Sequence, residues 1–287
     1  MQKQEFLERL TNAGKLTPNE KKLARLFERD YHALAFDNLE TVSAKANVSK
    51  SAVSRFIARL GFASFHVFIR ELRDEVAETL DTPLQRHEKR TARGETGQSL
   101  FKAHLEEVAM NLRETTEQFR EEDYAKALDL LCDTSRPLYL VGSATAEHMM
   151  AYFYLLMRYL RGNLTLLDGN APTLAHRIGV VDEKSVLFAM SFARYPTLTY
   201  DVMRYFKSKN AEVLLLTDRL TCPMIAETTL PLVVQADTAS MFKTRCSALA
   251  LLEAFIGGMS ERFPEDVSER YAAMREVSQH LNIFMRE

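Results

Sequence analysis

The amino-acid sequence predicts two domains of different class: an all-α N-terminal part, and an α/β C-terminal part built on a parallel sheet. Three observations carry this. Up to about Leu80, apolar residues recur only at helical spacing, and no strand pattern occurs. From Asp81 to Ser99 the chain is polar, charged and nearly free of large apolar side chains, the composition of a linker. From Pro137 onward, short apolar runs alternate with helical stretches, which is how strands buried on both faces read. The domains are therefore expected at 1–80 and 100–287, with 81–99 between them; a length of 287 residues suits two.

Each N-terminal helix carries its own signals. A first amphipathic helix over Gln2–Leu10 would bury Phe6, Leu7 and Leu10. Thr17-Pro18-Asn19-Glu20 is a capping box with proline at the first helical position, and the helix after it buries Leu23, Leu26 and Phe27. A short segment with Leu39, Val42 and Ala46 ends at Asn47, a residue that tolerates a positive φ. Ser49 then caps a helix in which Val53, Phe56, Ile57 and Leu60 form a buried stripe, and Gly61 with Phe62 ends it. Ser64 caps a further helix carrying Phe65, Phe68, Ile69, Leu72 and Val76.

The two short helices meeting near Asn47 read as a helix-turn-helix without a wing. No Asp or Glu occurs between Thr41 and Arg70, whereas Lys45, Lys50, Arg55, Arg59 and Arg70 do, in a chain whose net charge is −2. Ser49, Lys50, Ser51, Ser54, Arg55 and Arg59 are the residues expected to meet double-stranded DNA. Ser49 and nearby N–H groups would sit on phosphate, and Ser51 and Arg55 would reach deepest into the major groove. An amphipathic hairpin with a merely solvated cationic face carries the same pattern.

In the C-terminal part, the strand runs are Leu138–Val141, Leu164–Leu167, Val186–Met190, Val213–Leu216 and Leu230–Val234. Helices are expected near Thr145–Tyr159, Thr173–Ile178, Thr197–Lys209 and, briefly, Pro223–Glu227, with Met241–Glu261 and Asp266–Leu281 closing the chain. Two helices precede the sheet. The first, Leu100–Phe119, has Leu105, Val108, Ala109 and Leu112 on one side; the second, about Glu122–Asp133, carries Tyr124, Ala127, Leu128 and Leu131. Both are expected to pack on the sheet domain or across a dimer. The stripe Met149, Met150, Phe153, Leu156 and Met157 reads as core, or as a subunit interface.

Composition sets further bounds. A hydrophobic content of 46% with 26% charged residues fits an ordinary globular chain. The longest apolar run, Met149–Met157, is too short to span a bilayer, and the N-terminus lacks the apolar core of a signal peptide. Cys132, Cys222 and Cys246 are too widely spaced for a disulfide framework or a metal cluster. A cytoplasmic protein without cofactor or metal is expected.

Val48-Ser49, Val53-Ser54-Arg55-Phe56 and Leu60-Gly61-Phe62 with Phe65, together with Leu16-Thr17-Pro18-Asn19-Glu20, resemble the RpiR/MurR family of bacterial transcriptional regulators. Asn47 stands for the usual turn glycine, and Ala52 for a usual threonine. The C-terminal loops Gly142-Ser143-Ala144-Thr145-Ala146 and Ser191-Phe192-Ala193-Arg194-Tyr195-Pro196-Thr197, with Thr217-Asp218, resemble a SIS (sugar isomerase) domain. The resemblance covers nearly the whole chain. It implies a flavodoxin-like five-stranded sheet with helices on both faces, a homodimer or higher homo-oligomer, and a sensor for a phosphorylated sugar.

Ligand residues expected from these loops are Gly142, Ser143, Thr145, Ser191, Arg194, Tyr195 and Thr197. Of the usual Gly-x-Gly-x-Ser only Gly142 remains, with Ala144 and Ala146 at the other two places. Of Ser-x-Ser-Gly-x-Thr, Ser191 and Thr197 remain, with Ala193 and Arg194 between. Backbone N–H groups at helix starts attract anions whatever the side chains. Arg194 has two readings: its planar fork binds an anionic metabolite, or Arg194 and Tyr195 fill the space of a sugar.

Catalysis is not expected. Glu147 in a first helical turn suits the dipole, and His148 and His176 lack any triad order or metal spacing. The expected function is a DNA-binding transcriptional regulator whose C-terminal domain senses a small anionic metabolite. A sugar-phosphate isomerase and a ligand-free dimerisation scaffold are the alternatives.

Overall fold

The computed structural model describes residues 6, 9–10, 13–14, 16–31, 33–78, 84, 99–168 and 171–283. The chain divides into two compact units, Met1–Lys89 and Arg90–Glu287. The expected linker falls outside the described residues except for Leu84 and Ser99, as does most of the expected first helix, of which Phe6 and Leu10 are buried.

The N-terminal unit comprises α1 (Pro18–Asp30), a 3-10 turn (Ala33–Phe36), α2 (Leu39–Ala46), α3 (Lys50–Arg59) and α4 (Phe65–Glu78), with no strand among the described residues. Side chains open these helices, at Thr17, Ser49 and Ser64 where the sequence predicts and at Asn38 where no cap is predicted. Thr17 and Glu20 form the reciprocal capping box, Asn38 accepts from Thr41 N–H, Ser49 from Ala52 N–H, and Ser64 from Val67 N–H. Asn47 is left-handed at φ 50° and Gly61 at φ 91°, so each turn is made by a residue that accepts that conformation at low cost. Phe6, Phe27, Phe56, Phe62 and Phe68 fill the centre, with Phe27 stacked on Phe68 at 5.5 Å. Burying such rings is the main gain of a unit this small.

The C-terminal unit opens with α5 (Ser99–Gln118) and α6 (Glu121–Cys132). Then β1 (Leu138–Gly142), α7 (Thr145–Met157), β2 (Leu164–Leu167), α8 (Ala171–Ile178), β3 (Val186–Met190), α9 (Thr197–Ser208) and β4 (Glu212–Thr217) alternate. A 3-10 turn (Pro223–Glu227), β5 (Leu230–Val233), α10 (Cys246–Arg262) and α11 (Pro264–His280) complete it. All strand pairs are parallel in the order β2-β1-β3-β4-β5, the flavodoxin-like arrangement, with Leu140 level with Leu166 and Phe188.

One sheet face packs Leu138, Leu140, Phe188 and Leu214 against Leu128 and Leu131 of α6, Met150, Phe153 and Met157 of α7, and Leu252, Phe255 and Met259 of α10. The methionine stripe is therefore largely core. On the other face Tyr139 meets Phe206 of α9 edge to face at 5.1 Å. Arg161, fully buried, donates to the carbonyls of Leu131, Arg136 and Asn163, tying the end of α6 to the starts of β1 and β2.

One expectation is corrected. The helix expected from Met241 begins at Cys246, and residues up to Arg245 instead follow β5 as a strap without regular secondary structure. Of the α5 stripe, expected on the sheet domain or across a dimer, Leu105 (50% exposed) and Leu112 (36%) stay at the surface of this chain. What α5 turns inward is polar, because the strap presents bare backbone that needs partners. Asn111 Nδ2 donates to Asp237 O (2.7 Å), Ala239 N–H to Glu107 (3.1 Å) and Gln235 N–H to Thr115 Oγ1 (2.9 Å).

Candidate functional site

Helix α3 separates its residues by chemistry. Val53, Phe56 and Ile57 are at most 1% exposed and hold it on the aromatic core, so the opposite face is turned to solvent by necessity. Ser49, Lys50, Ser51, Ser54, Arg55 and Arg59 are all exposed on that side. Their engagements differ. Ser49 Oγ lies 3.0 Å from Ser51 Oγ, Ser54 Oγ donates to Lys50 O (3.2 Å), and Arg55 Nε donates to Ser51 O (3.3 Å), all within the helix or its cap. Lys50 pairs with Glu40 at 2.9 Å, both well exposed; that ammonium holds the Glu40 carboxyl below its ordinary pKa. Glu40 lies one position before the acid-free stretch, so a count of charges within that stretch misses this pair. Arg59 instead grips Glu20 of α1 with two bonds of 2.8 Å and donates to Ala13 O.

The second candidate site lies beyond the carboxyl ends of β1 and β3, the neighbours where the strand order reverses. Gly142 ends β1 so close to α7 that a Cβ there would meet Ala146 backbone atoms at 2.7 Å; its requirement is close packing. Ser143 Oγ, 2.8 Å from Thr199 Oγ1, joins the first loop to α9. Ala144 is held at φ 54°, ψ −125°, a conformation that glycine favours. Thr145 and Thr197 are exposed at the first positions of α7 and α9, neither of which has a side-chain cap. Both helix starts therefore point uncapped N–H groups at this end of the sheet.

Along the second loop, Ser191 is 2% exposed and its hydroxyl has no hydrogen-bond partner among the described residues. Arg194 is exposed at φ 73°. Tyr195 is buried, and its hydroxyl donates to Asp218 Oδ1 at 3.3 Å; burial pushes that phenol far above its ordinary pKa. Burial likewise pushes the neighbouring Cys222 thiol up to about 11. Tyr195 thus packs inward while Arg194 is exposed.

Three residues, Arg219, Lys243 and Arg245, were not singled out from the sequence. Asp218 sits at the end of β4 beside Arg219 (3.3 Å) and Lys243 (3.2 Å). The guanidinium carbon of Arg245 stands 4.1 Å above the Phe192 ring, next to Ser191 in the chain. A signal existed: Lys243 and Arg245 bring positive charge to a helix start, where the dipole disfavours it. Expecting helix from Met241 hid it. His148 Nδ1 lies 3.1 Å from Ala144 O of its own helix turn, and His176 is exposed on α8.

Residues 4–79 match the helix-turn-helix domain of the rpiR family, and residues 134–257 match the SIS domain. In class, the molecule is a helical DNA-binding-type domain followed by a sugar-isomerase-type α/β domain. By that composition the chain belongs to the RpiR/MurR family. No curated protein matches it in sequence. In fold it is similar to the sugar isomerase domain of an RpiR transcription factor from Sphaerobacter thermophilus, at TM-score 0.57 and 18% identity, covering 64% of this chain and 99% of that one. The Vibrio vulnificus NanR protein, complexed with ManNAc-6P, is similar at TM-score 0.55 and 13% identity over 96% and 98% of the two chains. Phosphoheptose isomerase GmhA from Neisseria gonorrhoeae is similar at 0.51 and 14%, over 58% and 100%. These likenesses show the fold. No described helix is long and apolar enough to cross a membrane.

Proposed function

We propose that this protein is a DNA-binding transcriptional regulator of the cytoplasm whose SIS domain senses a small anionic metabolite and adjusts operator binding. The observation that carries the reading is α3, a capped helix with an apolar face at most 1% exposed at Val53, Phe56 and Ile57, and an opposite face made of Ser49, Lys50, Ser51, Ser54 and Arg55. Arg55 has no ion pair among the described residues, which suits a side chain that reads guanine through O6 and N7.

An anionic ligand is supported by the uncapped starts of α7 and α9, the partnerless Ser191 hydroxyl, and Arg194 and Arg245 near the same loops. The Vibrio protein is complexed with ManNAc-6P, which supports a sugar phosphate as one candidate. The domain is read as a binder, which the contact of His148 Nδ1 with Ala144 O of its own helix turn supports. The apolar stripe on α5 favours a homodimer, and two readers then set a half-site spacing. Ligand shifts operator affinity to the extent that it binds one arrangement of the pair better than the other.

Sequencing of duplexes captured by the full-length protein from a random library, with and without a panel of sugar phosphates, tests this. A shared motif whose recovery changes with one panel member supports it. Capture that is unselective and insensitive to salt overturns it.

A further inference from the structure

Of the outward cations on α3, Arg59 is engaged most elaborately. Its Nη1 donates to both carboxylate oxygens of Glu20 at 2.8 Å, and its Nη2 donates to the Ala13 carbonyl at 2.6 Å. Glu20 is itself committed: its Oε2 accepts from Thr17 N–H at 2.8 Å, closing the first turn of α1. One carboxylate therefore caps α1 and anchors the last turn of α3. Its side chain is 16% exposed and that of Arg59 37%, against 76% and 56% for the Glu40–Lys50 pair. A guanidinium fork fixes direction as well as distance, which a point charge does not.

The opposite end of α3 is fixed separately. Asn47 makes the left-handed turn, and Ser43 Oγ donates to Val48 O at 2.7 Å just before the Ser49 cap. From Lys50 to Arg59 the helix rises about 14 Å. A small tilt pivoting at the capped end displaces the far end most, and with it the line along which Ser51, Ser54 and Arg55 meet base edges.

We propose that Arg59 is a positioning residue for recognition: its clasp on Glu20 and Ala13 sets the pitch of α3 against α1, and it does not serve as a phosphate contact. This rests on the DNA-reading role proposed above. It removes one cation from the presumed footprint and adds Glu20, an acid, to the residues on which operator affinity depends.

The two roles give opposite signs for Glu20. If Arg59 met phosphate, Glu20 would compete for it, so Glu20→Gln would strengthen binding. Losing Arg59 would then lower the slope of log affinity against log salt by about one, and Arg59→Lys would keep most of the contact. A clasp gives the reverse. Binding of the full-length protein to one duplex recovered from the random library is measured across a salt series for Arg59→Ala, Arg59→Lys, Glu20→Gln and the Arg59→Ala/Glu20→Gln double variant.

The expected result is weaker binding in all three single variants, roughly ten-fold for Arg59→Ala, with an unchanged salt slope. The double variant should be little worse than the worse single, as for residues that act through one contact. Stronger binding by Glu20→Gln, or a slope reduced by about one in Arg59→Ala, overturns the clasp and leaves the regulator reading standing. A parent protein without salt-sensitive binding overturns the regulator reading itself and, with it, this role.

Discussion

Lys243 stands between two carboxylates of very different exposure: its Nζ lies 3.2 Å from Oδ2 of Asp218, whose side chain is 1% exposed, and 2.6 Å from Oδ1 of Asp237, which is 78% exposed. It ties the strap after β5 to the end of β4, where Asp218 also accepts from Tyr195. Deleting one partner of a buried ion pair strands the other, whereas an exposed pair contributes little. Lys243→Met is expected to lower unfolding free energy by about 3 kcal/mol, and Asp237→Asn by less than about 1 kcal/mol. Urea denaturation of the two variants decides; equal small losses would show that Arg219, 3.3 Å away, suffices for Asp218.

Arg55 should behave differently from the other cations of the reader. It is exposed and bonded only within its helix among the described residues, so its guanidinium is available to a base edge. Arg55→Ala is expected to cost roughly 1–3 kcal/mol of operator binding and to relax selection at one base pair. Binding to a set of single-base variants of a selected duplex measures this. A uniform loss across all of them would assign Arg55 to phosphate.

Both units were readable from the chain to the extent that local rules decide them. Thr17, Asn47, Ser49, Gly61 and Ser64 lie where capping and turn chemistry put them, and five largely apolar runs became five parallel strands. What stayed hidden depends on distant partners. Nothing local announces that Arg59 meets Glu20, thirty-nine positions away, or that Lys243 meets Asp218. The polar face of α5 was not legible for a related reason: the strap offers backbone groups, and Asn111 and Thr115 turn toward them.

The ligand question divides between two arginines. Arg245 is held over the Phe192 ring, so part of its ordering cost is already met before a ligand arrives. Arg194 is exposed on the loop. A thermal-shift series with sugar phosphates and simple carboxylates is expected to find that Arg245→Ala abolishes the stabilisation given to the parent protein, and that Arg194→Ala reduces it. Shifts unchanged in both variants would place the anion elsewhere.

Acid should loosen the N-terminal unit through Glu20. Its carboxyl is held below its ordinary pKa first by the Thr17 N–H and then by Arg59. A depressed folded pKa contributes stability that is present above the unfolded value, about 4.5, and is lost as pH falls through the folded one. Protection of the amides in the first turn of α1, corrected for the intrinsic exchange rate, is expected to fall over that window in the parent protein. In Glu20→Gln this step should be absent; an identical acid profile would assign the loosening to other carboxylates.

Ala144 offers a substitution whose sign distinguishes strain from chain entropy. Its φ 54°, ψ −125° are those of the first central position of a type II′ turn, where a Cβ costs about 1–3 kcal/mol. Glycine would relieve this but add roughly 0.4–1 kcal/mol of unfolded-chain freedom. Strain is the larger of the two, so Ala144→Gly should raise the stability of the C-terminal unit by about 1 kcal/mol, a direction opposite to most glycine substitutions. The unfolding midpoint reads it directly. A fall instead would mean that the loop between β1 and α7 relaxes around the alanine, and that the uncapped start of α7 is not held under tension.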